Sequence, residues 1–450
     1  MAWGTGALGV AVLMNGVSFL VLFYMIGILK IEPALAGALV FATKLIDVAS
    51  DPIVGLWSDR LKSPRGRRRP FLLFGAVISA VAFALVFSTP VFDEQLYTAM
   101  FIFIAMVLYT VGYTLFNVPY MAMPAEMTDS YHERSSIHAY RVIFVTIGGF
   151  FAGSIAPWVL EAMGKSEWSS YSAIGIGGAV VILICMSITY FGTAKAPFTT
   201  SGVAVPSISA EFKAVLANRH FMRLITVKML QLLGVAAAGS AMIFFFVNAI
   251  NLDLQDKSYF FAVVTIASLA AAPLIVKLSK TYGKRNAYLL SAGCTVVYAL
   301  SWLLAVPNEP LEWVLVRGVI IGIAATGNVV LAMSMLTDTI EFDARKTGVR
   351  REGAYTALYS LVEKVTFAFG PLIIGVALSA AGFDQNLPVG QMQSEEVKQA
   401  LLLGVCYLPA GLGVLTMVVI AGFKLDEKSL AEAGSDPVAA EQTAAPAPSN

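Results

Sequence analysis

The sequence is short of charge. Only 13% of its 450 residues are Asp, Glu, Lys or Arg, against about 25% in soluble domains. With 58% of residues hydrophobic and a mean hydropathy of +0.75, that scarcity implies a polytopic membrane protein. Net charge is also small. At +1 no overall field draws in nucleic acid, and no nucleic-acid partner is expected. Cysteine is nearly absent: Cys185, Cys294 and Cys406 stand singly in apolar runs, without CxxC or ligand spacing. They read as packing residues, not as a disulfide or metal framework. The three histidines, His132, His138 and His220, fall in or beside expected loops. There is no HExxH, GxSxG or P-loop, so a membrane-embedded hydrolase or a nucleotide-driven pump has no motif to rest on. Neither enzyme activity nor a cofactor is expected. The first apolar run has no basic n-region and no small-residue cleavage site before it, and is expected to be a retained span.

Long apolar runs are what the chain has in quantity. A helix needs about 20 apolar residues to cross a bilayer. Six such runs lie near 5–28, 34–57, 70–89, 96–123, 138–162 and 171–193, and six more near 222–249, 257–279, 285–306, 311–336, 354–380 and 398–423. The expectation is an all-α integral membrane protein of twelve transmembrane helices, divided into 1–193, a polar linker 194–221, 222–424 and a tail 425–450. Within the linker, Ile208, Phe212, Val215 and Leu216 recur at helical spacing. Either a short helix lying on the membrane surface or a plain linker turn accounts for them. The tail is rich in Ala, Pro, Glu and Ser and is expected to be disordered.

Basic residues give the orientation. Loops on the side of the termini and linker carry 22 Lys and Arg, and the opposite loops carry four. That asymmetry places both termini in the cytoplasm of a cell membrane, inner or plasma. Four basic residues remain inside spans: Lys44, Lys228, Arg317 and Lys364. Two sets of six spans joined by one linker suggest an internal repeat. Basic, glycine-containing loops follow both the second span (Asp59, Arg60, then Arg65 to Arg68) and the eighth (Lys277, Lys280, then Gly283 to Arg285).

The chemistry concentrates in the second span. Asp47 and Asp51 are four residues apart. They share one helix face, about 6 Å apart along the axis. Lys44 lies a turn earlier on nearly the same stripe, with Ser50 nearby. Each charge at mid-bilayer costs roughly 2.5–3.5 kcal/mol on insertion scales, so three within two turns need a reason. One is a cation site, since Na⁺ prefers oxygen ligands and paired carboxylates also hold protons. The other is a locally neutralised cluster that only fixes packing. Pro52 should kink the helix there and free backbone carbonyls. Lys364, beside Glu363 in the eleventh span, is a candidate counter-charge reaching the pair from the other half. Lys228 with Gln231, and Arg317, either line a cavity or snorkel to a helix end. In YTLFNVPY, Thr114 and Asn117 offer a hydroxyl and an amide, for an ion, a polar solute or an interhelical bond. Arg141 opens the fifth span and either reaches inward to a solute or anchors the membrane edge. Gly55, Asp59, Arg60 and Arg67 form a possible latch between helices, inside a cluster that is chiefly an orientation signal.

Together these residues resemble the major facilitator superfamily (MFS), and within it the glycoside–pentoside–hexuronide:cation symporters, the group of the melibiose carrier. Gly55, Asp59, Arg60 and Gly66 to Arg68 resemble the superfamily's loop motif between helices two and three. IDVASDPIVG resembles the group's second-helix cation motif, YTLFNVP its fourth-helix segment and AYRVIFVTIGGF its fifth. The stretch 338–364 resembles its loop and eleventh helix. The resemblance implies the MFS fold of two pseudo-symmetric six-helix bundles, expected as a monomer working by alternating access. It implies Na⁺ or H⁺ as coupling ion at Asp47, Asp51, Thr114 and Ser50. It further implies Lys364 and Lys44 as charge partners, and a sugar or glycoside held by Asn117, Arg141 and Lys364, to which the intramembrane position of Gln231 adds a further candidate. The departures matter as well. Ala11 and Asn117 stand where the melibiose carrier has sugar-binding aspartates, Met121 replaces an aromatic, and Ser50 replaces an asparagine near the cation. Lysophospholipid–sodium symporters share the fold and the carboxylate pair, so a lysolipid or other amphiphile is an alternative solute. Met242 and Phe244 to Phe246 either line a cavity for one or simply face lipid. A non-transporting receptor or scaffold is a third reading, in which the charges only neutralise each other.

Overall fold

The computed structural model describes residues 1–61, 68–127, 131–164, 166–194, 208–349, 351–388, 391–425 and 429. Every described element is a helix, and twelve helices are long and apolar enough to span a membrane. The first six are Ala2–Gly27, Pro33–Ser58, Arg69–Phe87, Gln95–Pro124, Tyr140–Met163 and Trp168–Gly192. The second six are Arg219–Ala249, Leu254–Tyr282, Lys284–Leu304, Leu311–Thr347, Glu352–Ala380 and Glu395–Ala421. They are counted below as spans one to twelve.

Local chemistry sets the ends. Glu32 caps span two, its carboxylate accepting from Ala34 N at 3.1 Å and Leu35 N at 2.8 Å, with Pro33 in the first turn where its missing N–H costs nothing. Asn218 caps span seven through His220 N and Phe221 N. Span ten ends at Gly348, whose φ of +69° is the left-handed conformation that lets a helix stop. Span two continues helical through Pro52 down to Arg60. Spans five, seven and twelve each carry a five-residue π-turn, at Phe151–Ile155, Phe245–Ala249 and Leu403–Tyr407, which the apolar periodicity does not announce.

Large apolar side chains cover the outer faces: Ile53, Phe74, Ile104, Ile266 and Val418 are each more than half exposed. In water such a surface would aggregate; in lipid it is matched. The linker forms a helix over Ile208–Ala217 that docks on the second half through buried Val215 and half-buried Phe212, while Leu216 stays exposed. The tail expected to be disordered lies outside the described residues, apart from Leu425 and Ser429.

Contacts that join the halves gather on the side away from the termini. Gly37 and Gly375 lie against each other where spans two and eleven cross. Ser379 donates to Glu32, and Gln385 Nε2 donates to Ile31 O at 2.9 Å. Phe23 meets Phe244, and Phe19 meets Phe261.

Two of the sequence alternatives resolve here. Phe244, Phe245 and Phe246 do not face lipid. All three are at most 1% exposed, packed against Phe23, Phe383, Phe260 and Trp302. A stretch apolar on every side carries no moment to say which way it faces, so the sequence could not separate protein from lipid. Arg317 neither lines the cavity nor snorkels. Its guanidinium forks onto Glu309 at 2.5 and 2.9 Å, donates to Ser301 O at 3.1 Å and lies 4.6 Å from the Trp302 ring centre. Arg317→Ala would strand a buried carboxylate and is expected to cost about 3–5 kcal/mol, read as a lower melting temperature in detergent. Arg317→Lys should recover only part of it, because a point charge cannot reproduce the fork. An unshifted melt in the alanine variant would mean Glu309 needs no such partner.

Candidate functional site

The site forms where spans two, four and eleven meet. Asp47, 4% exposed, and Asp51 occupy successive turns of span two. Lys364 crosses from span eleven, placing Nζ 3.1 Å from Asp47 Oδ2 and 2.5 Å from Asp51 Oδ2. One ammonium from the second half therefore bridges both carboxylates of the first. Thr114 on span four donates to Asp47 Oδ1 at 3.2 Å. Ser50 Oγ lies 3.0 Å from Thr114 Oγ1 and donates to Asp47 O at 3.0 Å. Asp51 Oδ1 is buried without a hydrogen-bond partner. Two carboxylates and two hydroxyls thus converge around one ammonium, a set of hard oxygen donors suited to a small monovalent cation or a proton.

The other expected residues are placed more loosely. Asn117 Nδ2 donates to Tyr113 Oη at 3.0 Å, and the Tyr113 ring centre lies 5.2 Å from Lys364 Nζ. Asn117 thus reaches the cluster through a tyrosine the sequence reading did not single out. Lys44 lies over the Tyr109 ring at 5.9 Å, and among the described residues no carboxylate lies within ion-pair distance of it. Lys364 already occupies the space between the carboxylates, which leaves Lys44 to the aromatic face above them. Arg141 is half-buried on span five, its Nε buried without a hydrogen-bond partner.

Between the halves lies a cavity of about 470 Å³, within the range of small-molecule sites. Asn15, Ser18 and Phe19 of span one contribute to it, with Lys228, Gln231 and Glu363 from the second half. Gln231 Oε1 accepts from Tyr288 Oη at 3.2 Å. Asn15 and Ser18 went unremarked in the sequence; the only available signal was two polar side chains one turn apart in the middle of a largely apolar span. Of the expected latch, Gly55 faces Val118, leaving room at 3.7 Å for a Cβ. The Asp59 and Arg60 side chains and all of Arg67 lie outside the described residues. In the second half the corresponding loop makes its tie through Lys284, 2.6 Å from Asp338 of span ten.

Twelve spans in two sets, holding a central cavity and a buried charge cluster shared between them, define a membrane transporter. The family model described as MFS/sugar transport protein matches residues 2–427. The chain belongs to that family, within the major facilitator superfamily and like the glycoside–pentoside–hexuronide:cation symporters. An uncharacterized symporter of Bacillus subtilis is 27% identical over 92% of this chain and 88% of its own length. A putative glycoside/cation symporter of Escherichia coli is 23% identical over 95% and 92%. Among solved structures, a bacterial homologue of the human lysosomal transporter Spinster, inward-facing and unoccupied, matches with a TM-score of 0.70. It covers 95% of this chain and 98% of its own at 14% identity, a likeness of fold alone. The relatives are transporters, not enzymes.

Proposed function

We propose that the protein couples the entry of Na⁺ or H⁺ to that of a sugar or glycoside, by alternating access, as a monomer with both termini cytoplasmic. One observation carries the reading: Lys364 of one half holds Asp47 and Asp51 of the other at 3.1 and 2.5 Å. The ammonium stands where a coupling cation would bind. An ion taking its place among Asp47, Asp51, Thr114 and Ser50 releases a tie between the halves, which is the link that symport requires. Closure on the side away from the termini supports an inward-facing state. The name of the Escherichia coli relative supports a glycoside-type solute, and a single chain supplies every residue of the site. The same name favours a sugar over a lysolipid; of the residues offered for the lysolipid reading, Phe244 to Phe246 pack inside the protein while Met242 lines the cavity.

Asp51→Asn tests the proposal. Removing one charged ligand is expected to weaken cation stimulation of uptake at least about tenfold, while the protein still folds. Uptake in membrane vesicles under imposed Na⁺ or H⁺ gradients measures it. Stimulation equal to that of the unaltered chain would sink the proposal.

A further inference from the structure

One face of span eight turns toward the first half. Leu254, Lys257, Ser258 and Phe261 recur along it at helical spacing, and the first three are at most 5% exposed. Leu254 N donates to Glu161 Oε2 of span five at 3.1 Å. Phe261 packs on Phe19 of span one, and a Cβ added at Gly153 of span five would stand 3.3 Å from its ring. This stripe is therefore part of the seam that closes the halves on the side away from the termini.

Lys257 is an unusual occupant of such a stripe. It is 2% exposed, and its ammonium has no hydrogen bond and no ion pair among the described residues. What faces it is the Phe261 ring, whose centre lies 5.6 Å away. A ring face recovers only part of what an ammonium gives up on leaving water. Acidic groups stand at the same end of the helix. Asp253 and Asp256 lie at the start of span eight, and Glu161 gives an oxygen to Leu254 N, but none comes within ion-pair distance of Lys257. Lys364, Lys228 and Arg317 each meet a carboxylate. Lys44 meets none directly but lies within electrostatic reach of Asp47.

The seam buries this charge only while it is closed. Parting span eight from spans one and five would return the ammonium to water, so closing carries an electrostatic cost that opening relieves. Against that cost stand the attractive ties of the same side: Glu32 with Ser379, Gln385 with Ile31, and Glu161 with Leu254. Alternating access needs its two states close in free energy, and a seam made of ties alone would favour one of them. We propose that Lys257 is a gating charge: buried unpaired in the closed outer seam, it pushes the halves back toward the outward-open state. This rests on the alternating-access reading above. Lys257 is a positioning residue, acting on the balance of states and not by touching ion or solute.

Thiol labelling of the full chain tests the proposal. The reporter is a cysteine replacing Phe41, in a background lacking Cys185, Cys294 and Cys406. Phe41 packs on Phe369 where spans two and eleven cross, so it reads closure of the halves and not the local field of Lys257. Lys257→Met is expected to slow labelling by a membrane-impermeant reagent at least about tenfold, and to slow uptake. Lys257→Gln should act in the same direction, and stands as the test if Lys257→Met does not fold. Lys257→Arg keeps the charge and should label at close to the parental rate. Gly375→Val is the control for motion: its added Cβ meets the Pro33 carbonyl across the crossing, so it should speed labelling. If it does while Lys257→Met labels at the parental rate or faster, the proposal is overturned and alternating access stands. The proposal also falls if Lys257→Arg slows labelling as much as Lys257→Met, since size and not charge would then be the cause. If no variant changes labelling, Gly375→Val included, this seam does not open and the alternating-access reading falls with the proposal.

Discussion

Lys364→Ala is expected to abolish solute accumulation and to lower stability in detergent by about 3–5 kcal/mol, the cost of removing one partner from a buried ion pair. The lower end applies because the Asp51 side chain is 29% exposed, whereas Asp47 is 5% exposed. Without the ammonium, two carboxylates one turn apart repel each other across a low dielectric, and the first half loses its charged tie to the second. The loss has a signature that simple packing damage lacks. A proton or Na⁺ can stand between the carboxylates in place of Lys364. The variant's melting temperature should therefore recover with acid or with millimolar Na⁺, more steeply than in the unaltered chain. Thermal melts across pH and Na⁺ concentration measure this directly. A variant as stable as the parent, or one destabilised equally under all conditions, would show that Lys364 is not a cation's stand-in.

Much of this site was legible because charge is so rare in the chain. Asp47, Asp51 and Lys364 lie in apolar stretches where each carries a known insertion penalty, so each announced itself. Ser50 and Thr114 followed from helical spacing and from the resemblance. What spacing could not supply was the crossing. Lys364 stood out as a candidate for that crossing, but nothing local says why Lys228, equally intramembrane, turns instead to Glu363 of span eleven. That choice depends on which helices pack together. Tyr113 was invisible for a related reason: tyrosine is an ordinary packing residue, and only its contacts with Asn117 and Lys364 give it a role. Arg317 carried the same signal as Lys364 but is held by Glu309, in the loop just before span ten. An intramembrane charge marks a site worth inspecting, and its partner decides whether that site is structural.

The crossing of spans two and eleven was the least legible feature, since glycine is common throughout the chain and Gly37 and Gly375 look like any others. Their importance is geometric. A Cβ on Gly375 would overlap the Pro33 carbonyl oxygen and stand 3.0 Å from Gly37 Cα, and a Cβ on Gly37 would stand 2.6 Å from Pro371 O. These are backbone atoms on the opposing helix, which cannot rotate aside as a side chain can. Gly375→Val should therefore make the closed seam costly without touching Asp47, Asp51 or the cavity. Overpacking of this kind costs about 1–3 kcal/mol, enough to shift a two-state equilibrium by roughly 5- to 150-fold toward the state in which the seam is open. Uptake should fall sharply, because alternating access needs both states, while cation-induced stabilisation persists. A cysteine replacing Phe41, which packs on Phe369 in the same seam, should become more reactive to a membrane-impermeant thiol reagent in a background lacking Cys185, Cys294 and Cys406. Gly177→Val is the control, since Gly177 is exposed and a Cβ there meets nothing within 4 Å. If Gly375→Val transports normally, or if labelling at position 41 does not rise, the crossing is a packing detail. If both change as expected, this pair of glycines sets how tightly the halves close on the side away from the termini, and Lys364 sets whether the ion can release them.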